Sequence, residues 1–129
     1  MMSDSKFPPT DAEVLAAGDC AAGPGDVRLV LITAPDETEA RRLAGGLVEA
    51  RLAACVNLLP GARSVYRYGG QVHDEGECLM IVKSTRARWR DLEDWVDRNH
   101  PYDCPECIAI EPRGVMAGYL AWWLGETGA

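Results

Sequence analysis

Apolar residues along the chain fall into short continuous runs separated by stretches in which they recur every three or four positions. Val27-Arg28-Leu29-Val30-Leu31-Ile32-Thr33 is apolar or β-branched at nearly every position, the pattern of a strand covered on at least one face. Ala34-Pro35 ends it. Asp36, followed three residues later by Glu39, has the form of a capping box. Ala40, Leu43, Ala44, Leu47 and Val48 then fall at i, i+3, i+4, i+7 and i+8, which predicts an amphipathic helix lying on a sheet. Gly45 and Gly46 inside that helix each cost roughly 1 kcal/mol relative to alanine, so they predict close packing against a neighbouring backbone. Residues 53–59 read as a second strand.

Pro60-Gly61 interrupts that strand, residues 63–68 resume it, Gly69-Gly70 forms a hairpin turn, and residues 77–84 belong to the returning arm. Counted from residue 53 to 68 and from 71 to 84, each arm holds about 14–16 residues, or about 45–50 Å, whereas a 100-residue domain has a radius of gyration near ~13 Å. This chain cannot cover the far half of such a hairpin. Val65, Tyr66, Tyr68 and Val72 on it therefore predict pairing with another subunit. Ser84 or Thr85 can cap a helix with Trp89, Leu92, Trp95 and Val96 on one side, stopped by Asn99-His100-Pro101. Cys107-Ile108-Ala109-Ile110 is a fourth strand. Residues 115–124 form a last helix with Tyr119, Leu120, Trp122 and Trp123 around most of its circumference. The order is βαββαβ plus a terminal helix. This is an α+β, ferredoxin-like arrangement: an antiparallel sheet with two helices on one face, a long β2-β3 hairpin and an extra C-terminal helix.

Composition narrows the classes of partner. At 129 residues, 47% hydrophobic and 26% charged, the chain makes one globular domain. Asp and Glu number 20 against 13 Lys and Arg, and no cluster of four basic residues exists, so nucleic acid and anionic membrane surfaces are excluded as partners. No apolar run reaches the roughly 18–20 residues of a membrane span and no secretion leader opens the sequence; a cytoplasmic protein is expected. Residues 1–26 hold Asp4, Asp11, Glu13, Asp19 and Asp26 against Lys6, more than half of the net charge of −7. With Pro8, Pro9, Gly18, Gly23, Pro24 and Gly25 they read as a flexible acidic tail with at most one helical turn at 14–17, leaving residues 27–129 as the folded domain. Five cysteines, an odd number, point to reduced thiols rather than a disulfide framework.

Four sets of residues carry candidate chemistry. Cys104-Pro105-Glu106-Cys107 is a C-x-x-C, open to three readings: buried apolar thiols, a redox pair or soft metal ligands. His100 ends a helix, where it can sit as a cation at the helix C-terminus or serve as a metal ligand or polar anchor at a cleft. His73, beside Asp74, Glu75 and Glu77, reads as a solvated loop residue within reach of a weakly held cation. Lys83 is the single lysine after Lys6; it either meets Glu106 or a ligand carboxylate at a pocket edge, or snorkels to water. No nucleophile elbow, Walker loop, H-E-x-x-H or paired-carboxylate motif is present, so no enzymatic reaction is expected.

Blocks in order along the chain resemble the CutA divalent-cation tolerance family. They are Thr33-Ala34-Pro35-Asp36-Glu37, Leu52-Ala53-Ala54-Cys55-Val56-Asn57, Leu59-Pro60-Gly61, Ser64-Val65-Tyr66, Lys83-Ser84-Thr85, His100-Pro101-Tyr102, Pro105-Glu106 and Tyr119-Leu120-Ala121-Trp122. The resemblance implies a homotrimer of ferredoxin-like subunits whose hairpins pair around the threefold axis, with clefts between subunits and a role in tolerance to divalent cations, copper above all. Carried across by position, the cleft residues are Asn57, Tyr66, Tyr68, Lys83, His100, Tyr102, Glu106, Tyr119 and Trp122, with Tyr68 where tryptophan is usual. The positions that ligate copper in some bacterial members read Ile32, Asn99 and His100 here. Cys104 and Cys107 stand at positions usually apolar; with His100 they form a candidate set of soft ligands for copper or another divalent cation. The rival reading is a PII-like trimeric module that contacts a protein partner and has no direct metal role. A thiol oxidoreductase is a third class, resting on Cys104 and Cys107 alone.

Overall fold

The structure, a computed structural model, describes residues 23–128. The segment up to residue 22, with Cys20 and the expected turn at 14–17, lies outside the described residues. Pro24–Asp26 form a single 3-10 turn held to the domain through Arg86, whose N–H donates to the Asp26 carbonyl (2.9 Å) and whose guanidinium donates to its carboxylate (3.1 Å).

Strand β1 (Val27–Ala34) is followed by helix α1 (Glu37–Glu49), strands β2 (Cys55–Tyr68) and β3 (Gln71–Thr85), helix α2 (Trp89–Asn99), strand β4 (Cys107–Ile110) and helix α3 (Ala117–Glu126). The four strands form one antiparallel sheet in the order β2-β3-β1-β4. This is the expected α+β, βαββαβ fold. Asp36 caps α1 by accepting from the Glu39 N–H at 2.8 Å, while the Glu39 carboxylate turns outward to Arg42 instead of back to the cap.

Strand alternation assigns each helix to a face. Val30, Ile32 and Ala34 of β1 and Cys78, Met80 and Val82 of β3 point one way and are buried beneath Ala40, Leu43 and Leu47 of α1 and Leu92 and Val96 of α2. Each such side chain, fully removed from water, contributes roughly 1.5–3 kcal/mol. Val27 and Leu29 point the other way, where they meet Leu120 and Trp123 of α3. The Trp123 indole N–H donates to the Ser84 carbonyl at 2.8 Å, which holds α3 across one end of the second face. The rest of that face is uncovered within the chain: Leu59, Ile108 and Ile110 are 45%, 49% and 43% exposed.

Three local expectations are corrected. The close packing at the glycine pair involves Gly46 alone and a side chain, not a backbone: a Cβ there would overlap the Trp95 indole, whereas one at Gly45 meets open space. Neither Ser84 nor Thr85 is the cap of α2. The Ser84 hydroxyl is buried and donates to the Leu52 carbonyl (2.7 Å), Thr85 accepts from the Arg88 N–H (3.2 Å), and the helix starts at Trp89. The last helix starts at Ala117 rather than Val115, and of its aromatic side only Trp123 is buried, Tyr119 and Trp122 being half-buried.

The hairpin has arms of 14 and 15 residues. Its turn residues Gly69 and Gly70 both have positive φ (62° and 78°), the conformation that suits a two-residue hairpin. A shift of register between Leu59 and Ala62 at Pro60-Gly61 marks a bulge. Beyond the bulge Val65, Val72 and Tyr68 are 66%, 62% and 73% exposed.

Candidate functional site

Where the hairpin leaves the domain, a cleft of about 670 Å³ opens on the side of the sheet away from α1 and α2. Alternation along β3 sends Cys78, Met80, Val82 and Ser84 into the core, and Glu75, Glu77, Leu79, Ile81 and Lys83 to the opposite side. The two-residue turn then fixes what faces what: Tyr66 stands opposite His73, Ser64 opposite Glu75 and Ala62 opposite Glu77. The segment after α2 supplies the second wall with Tyr102, Asp103, Cys104 and Glu106.

Two tyrosine–carboxylate pairs line this cleft, one within the hairpin and one joining the two walls. The Tyr66 hydroxyl donates to Glu75 Oε1 at 2.5 Å, and the Tyr102 hydroxyl donates to Glu77 Oε2 at 2.7 Å. Both phenols are pushed above the ordinary tyrosine value, Tyr66 first by its bond to Glu75 and Tyr102 first by burial and then by Glu77, so both are donors at every physiological pH. His73 stacks on Tyr66, with centroids 5.2 Å apart and planes 17° apart, and its Nε2 lies 3.0 Å from the Tyr68 carbonyl. It belongs to the aromatic side of the strand ribbon and is not the solvated loop residue expected from its neighbours.

His100 holds the second wall in place. The residue is 8% exposed, its Nε2 lies 2.8 Å from the Thr33 carbonyl, and its Nδ1 accepts the Tyr102 N–H at 3.1 Å. Carbonyl acceptance requires a hydrogen on Nε2, and the amide requires a lone pair on Nδ1, so both nitrogens are engaged by backbone. The imidazole therefore acts as a polar anchor between the end of β1 and Tyr102, with both ring nitrogens turned to backbone and not to a metal.

The trio His100, Cys104 and Cys107 is not brought together. Cys104 is exposed and lines the cleft, whereas Cys107 is half-buried on the opposite side of the sheet, packed on the main core and lining a separate hollow with Glu93, Asp94 and Asp97. The reason is the strand: Cys107 pairs with Ile32, whose side chain points under the helices. Burial pushes the Cys107 thiol up to about 11, the reverse of what a redox nucleophile needs. Among the described residues no group of three His, Cys, Asp or Glu side chains could hold a metal ion.

The other expected cleft residues form a second group on the same open face, near α3. Lys83 Nζ donates to Asn57 Oδ1 and approaches Cys55 Sγ at 3.8 Å, rather than meeting Glu106. Tyr119 is raised by burial and by Cys55 beside it, and it packs on Trp122 at 5.4 Å between centroids. Tyr66, Tyr68, Tyr102 and Glu106 are thus brought together in the cleft; Asn57, Lys83, Tyr119 and Trp122 are gathered elsewhere on that face. Sequence reasoning missed Glu75, Glu77, Asp103 and Arg63 as lining residues. The signal for the first two was present, since a Gly69-Gly70 turn of two residues puts both on the tyrosine side of the ribbon.

A ferredoxin-like chain whose β2-β3 hairpin runs on past the last β1–β3 pair, Ala34–Cys78, with a tyrosine–carboxylate cleft at the root of that arm, is a long-hairpin α+β protein built around an open sheet face. The chain belongs to the CutA1 divalent ion tolerance protein family, whose model matches residues 28–126. It is 43% identical over 97 residues to the divalent-cation tolerance protein CutA of Pectobacterium atrosepticum, covering 75% of this chain and 88% of that one. The solved structure of the divalent cation tolerance protein Cut A1 from Thermus thermophilus superimposes with a TM-score of 0.77 at 43% identity, over 79% of this chain and 99% of that one. The chloroplastic protein CutA 1 of Oryza sativa is 39% identical over 99 residues, 77% of this chain and 56% of its own length.

Proposed function

We propose that the chain is the subunit of a homotrimeric CutA-type binding protein of divalent-cation tolerance, with no enzymatic step, in which the cleft at the hairpin root is closed by a second copy and receives a cationic ligand. The observation that carries this reading is the lining itself. Glu75, Glu77, Asp103 and Glu106 face a single guanidinium, Arg63, which is already engaged by Asp74 at 2.8 Å. Such a cleft attracts positive charge. Among the described residues no three such ligands are grouped, so a metal ion held there draws its remaining donors from the neighbouring copy. Copper would find its soft donor in Cys104, the thiol at the cleft wall. Four described cysteines are free thiols, which suits a reducing compartment such as the cytoplasm; among the described residues no helix is long and apolar enough to cross a membrane.

Calorimetric titration with copper and zinc, run beside light scattering, tests this. The expected result is a mass of three times the 14.0 kDa chain and micromolar or tighter binding that weakens in Glu77→Gln and Glu106→Gln. A trimer with no metal response would move the chain to the PII-like reading, and a mass of one chain would remove the shared cleft altogether.

A further inference from the structure

The cleft is acidic, and it is also aromatic: Tyr66, Tyr68 and Tyr102 line it together with the four carboxylates. We infer that the part of the site contained in one chain is a receptor for an organic ammonium ion, bound by the tyrosine rings and the carboxylates beside them. The inference rests on reading this cleft as the ligand site and specifies the ligand's class.

Three features point to this chemistry. The cleft within one chain, about 670 Å³ before a second copy closes it, has room for an organic ion. Glu75 and Glu77 each accept a tyrosine hydroxyl at one oxygen, so a second oxygen on each is left to face a cation. A phenol that donates to a carboxylate also carries more electron density in its ring, which strengthens the attraction of the ring face for positive charge. The same bonds keep the two tyrosines from swinging away, and His73 stacked on Tyr66 and His100 tilted against Tyr102 brace the rings further, so the part of each ring that lines the cleft stands ready without ordering on binding. A metal ion, by contrast, would use the carboxylates and leave the tyrosine wall without a role.

Tetramethylammonium chloride is the probe, because it is cationic and cannot donate a conventional hydrogen bond. Titrated into the full-length protein and followed by NMR of the tyrosine rings, it is expected to shift Tyr66 and Tyr102 saturably. Sodium chloride at equal concentration and tert-butanol, an uncharged molecule of similar size, are expected not to. Replacing Tyr102→Leu is expected to weaken binding roughly tenfold, the size of one partly desolvated cation–ring contact, and Tyr102→Phe to retain most of it. Tyr68→Leu, at a side chain 73% exposed within one chain, supplies the same test from the hairpin side, with light scattering beside it to show that the assembly is unchanged. Equal shifts with sodium, equal shifts with tert-butanol, or unchanged affinity in both leucine variants would overturn the inference. Copper or zinc binding without any response to tetramethylammonium would overturn it while leaving the cation-cleft reading intact; the opposite pattern supports the inference and removes the metal from that reading.

Discussion

His100 and the two cysteines that follow it show how much depends on where single atoms point. The His100 ring joins the last residues of β1 to the loop carrying Tyr102, through one carbonyl and one amide, so its contribution is to place the tyrosine that pairs with Glu77. Four residues further on, Cys104 looks into the cleft, and Cys107 looks into the core side. Their reactivities should differ accordingly. At pH 8, iodoacetamide is expected to label Cys104 readily and Cys107 hardly at all, read by peptide mass spectrometry, with Cys107 labelling rising only as pH approaches about 11. The same shift has a stability consequence. A thiol whose folded value lies above its unfolded one stabilises the fold fully below roughly pH 8.5 and loses that contribution as pH rises through about 11. Urea midpoints measured from pH 8 to pH 11 should therefore fall more steeply for the native chain than for Cys107→Ala.

Among the elements, α1 offers the clearest internal control, because its two adjacent glycines differ in one respect only. Gly45 faces open space and Gly46 faces the Trp95 indole of α2. Gly45→Ala is expected to stabilise by up to about 1 kcal/mol through helix propensity alone. Gly46→Ala gains the same propensity but must displace a half-buried ring, and a net loss of about 1–3 kcal/mol is expected in urea denaturation. The glycine pair was legible as a packing signal, yet the sequence could not say which glycine or what approached it, since that depends on the crossing of α1 over α2. The same limit applied to α2 itself. Thr85 has the chemistry of a cap, but the chain spends Arg86, Ala87 and Arg88 in a turn before the helix begins, and the Ser84 hydroxyl is drawn into the core by the Leu52 carbonyl. Strands were easier to read than caps because alternation and a two-residue glycine turn are local, and they sufficed to place Tyr66 and Tyr68 on one side of the ribbon.

For the whole molecule, the decisive legible fact was the mismatch between the length of the hairpin and the size of the core. That mismatch is real in the structure: arms of 14 and 15 residues carry side chains more than half exposed beyond the bulge. What no local pattern could reveal was the second unsatisfied surface, the sheet face that α3 covers only at one end. Ile108 and Ile110 of β4 and Leu59 of β2 lie on opposite edges of that face, with half-buried Leu29, Leu31 and Ile81 between them. An apolar strip of this kind, continuous with an uncovered two-stranded arm, is what an assembly of copies would bury, since a solvated antiparallel face ordinarily alternates to polar residues. The cleft borders both surfaces, so its completion and the assembly are one event in the proposed trimer. Ile110→Glu places a charge on the strip while the residue, already 43% exposed, leaves the main core untouched. Light scattering of this variant is expected to fall toward the 14.0 kDa of a single chain, and binding at the cleft is expected to weaken with it. If the mass stays at three chains while Val65→Lys on the hairpin lowers it, the arm alone carries the assembly and the strip is not part of its interface.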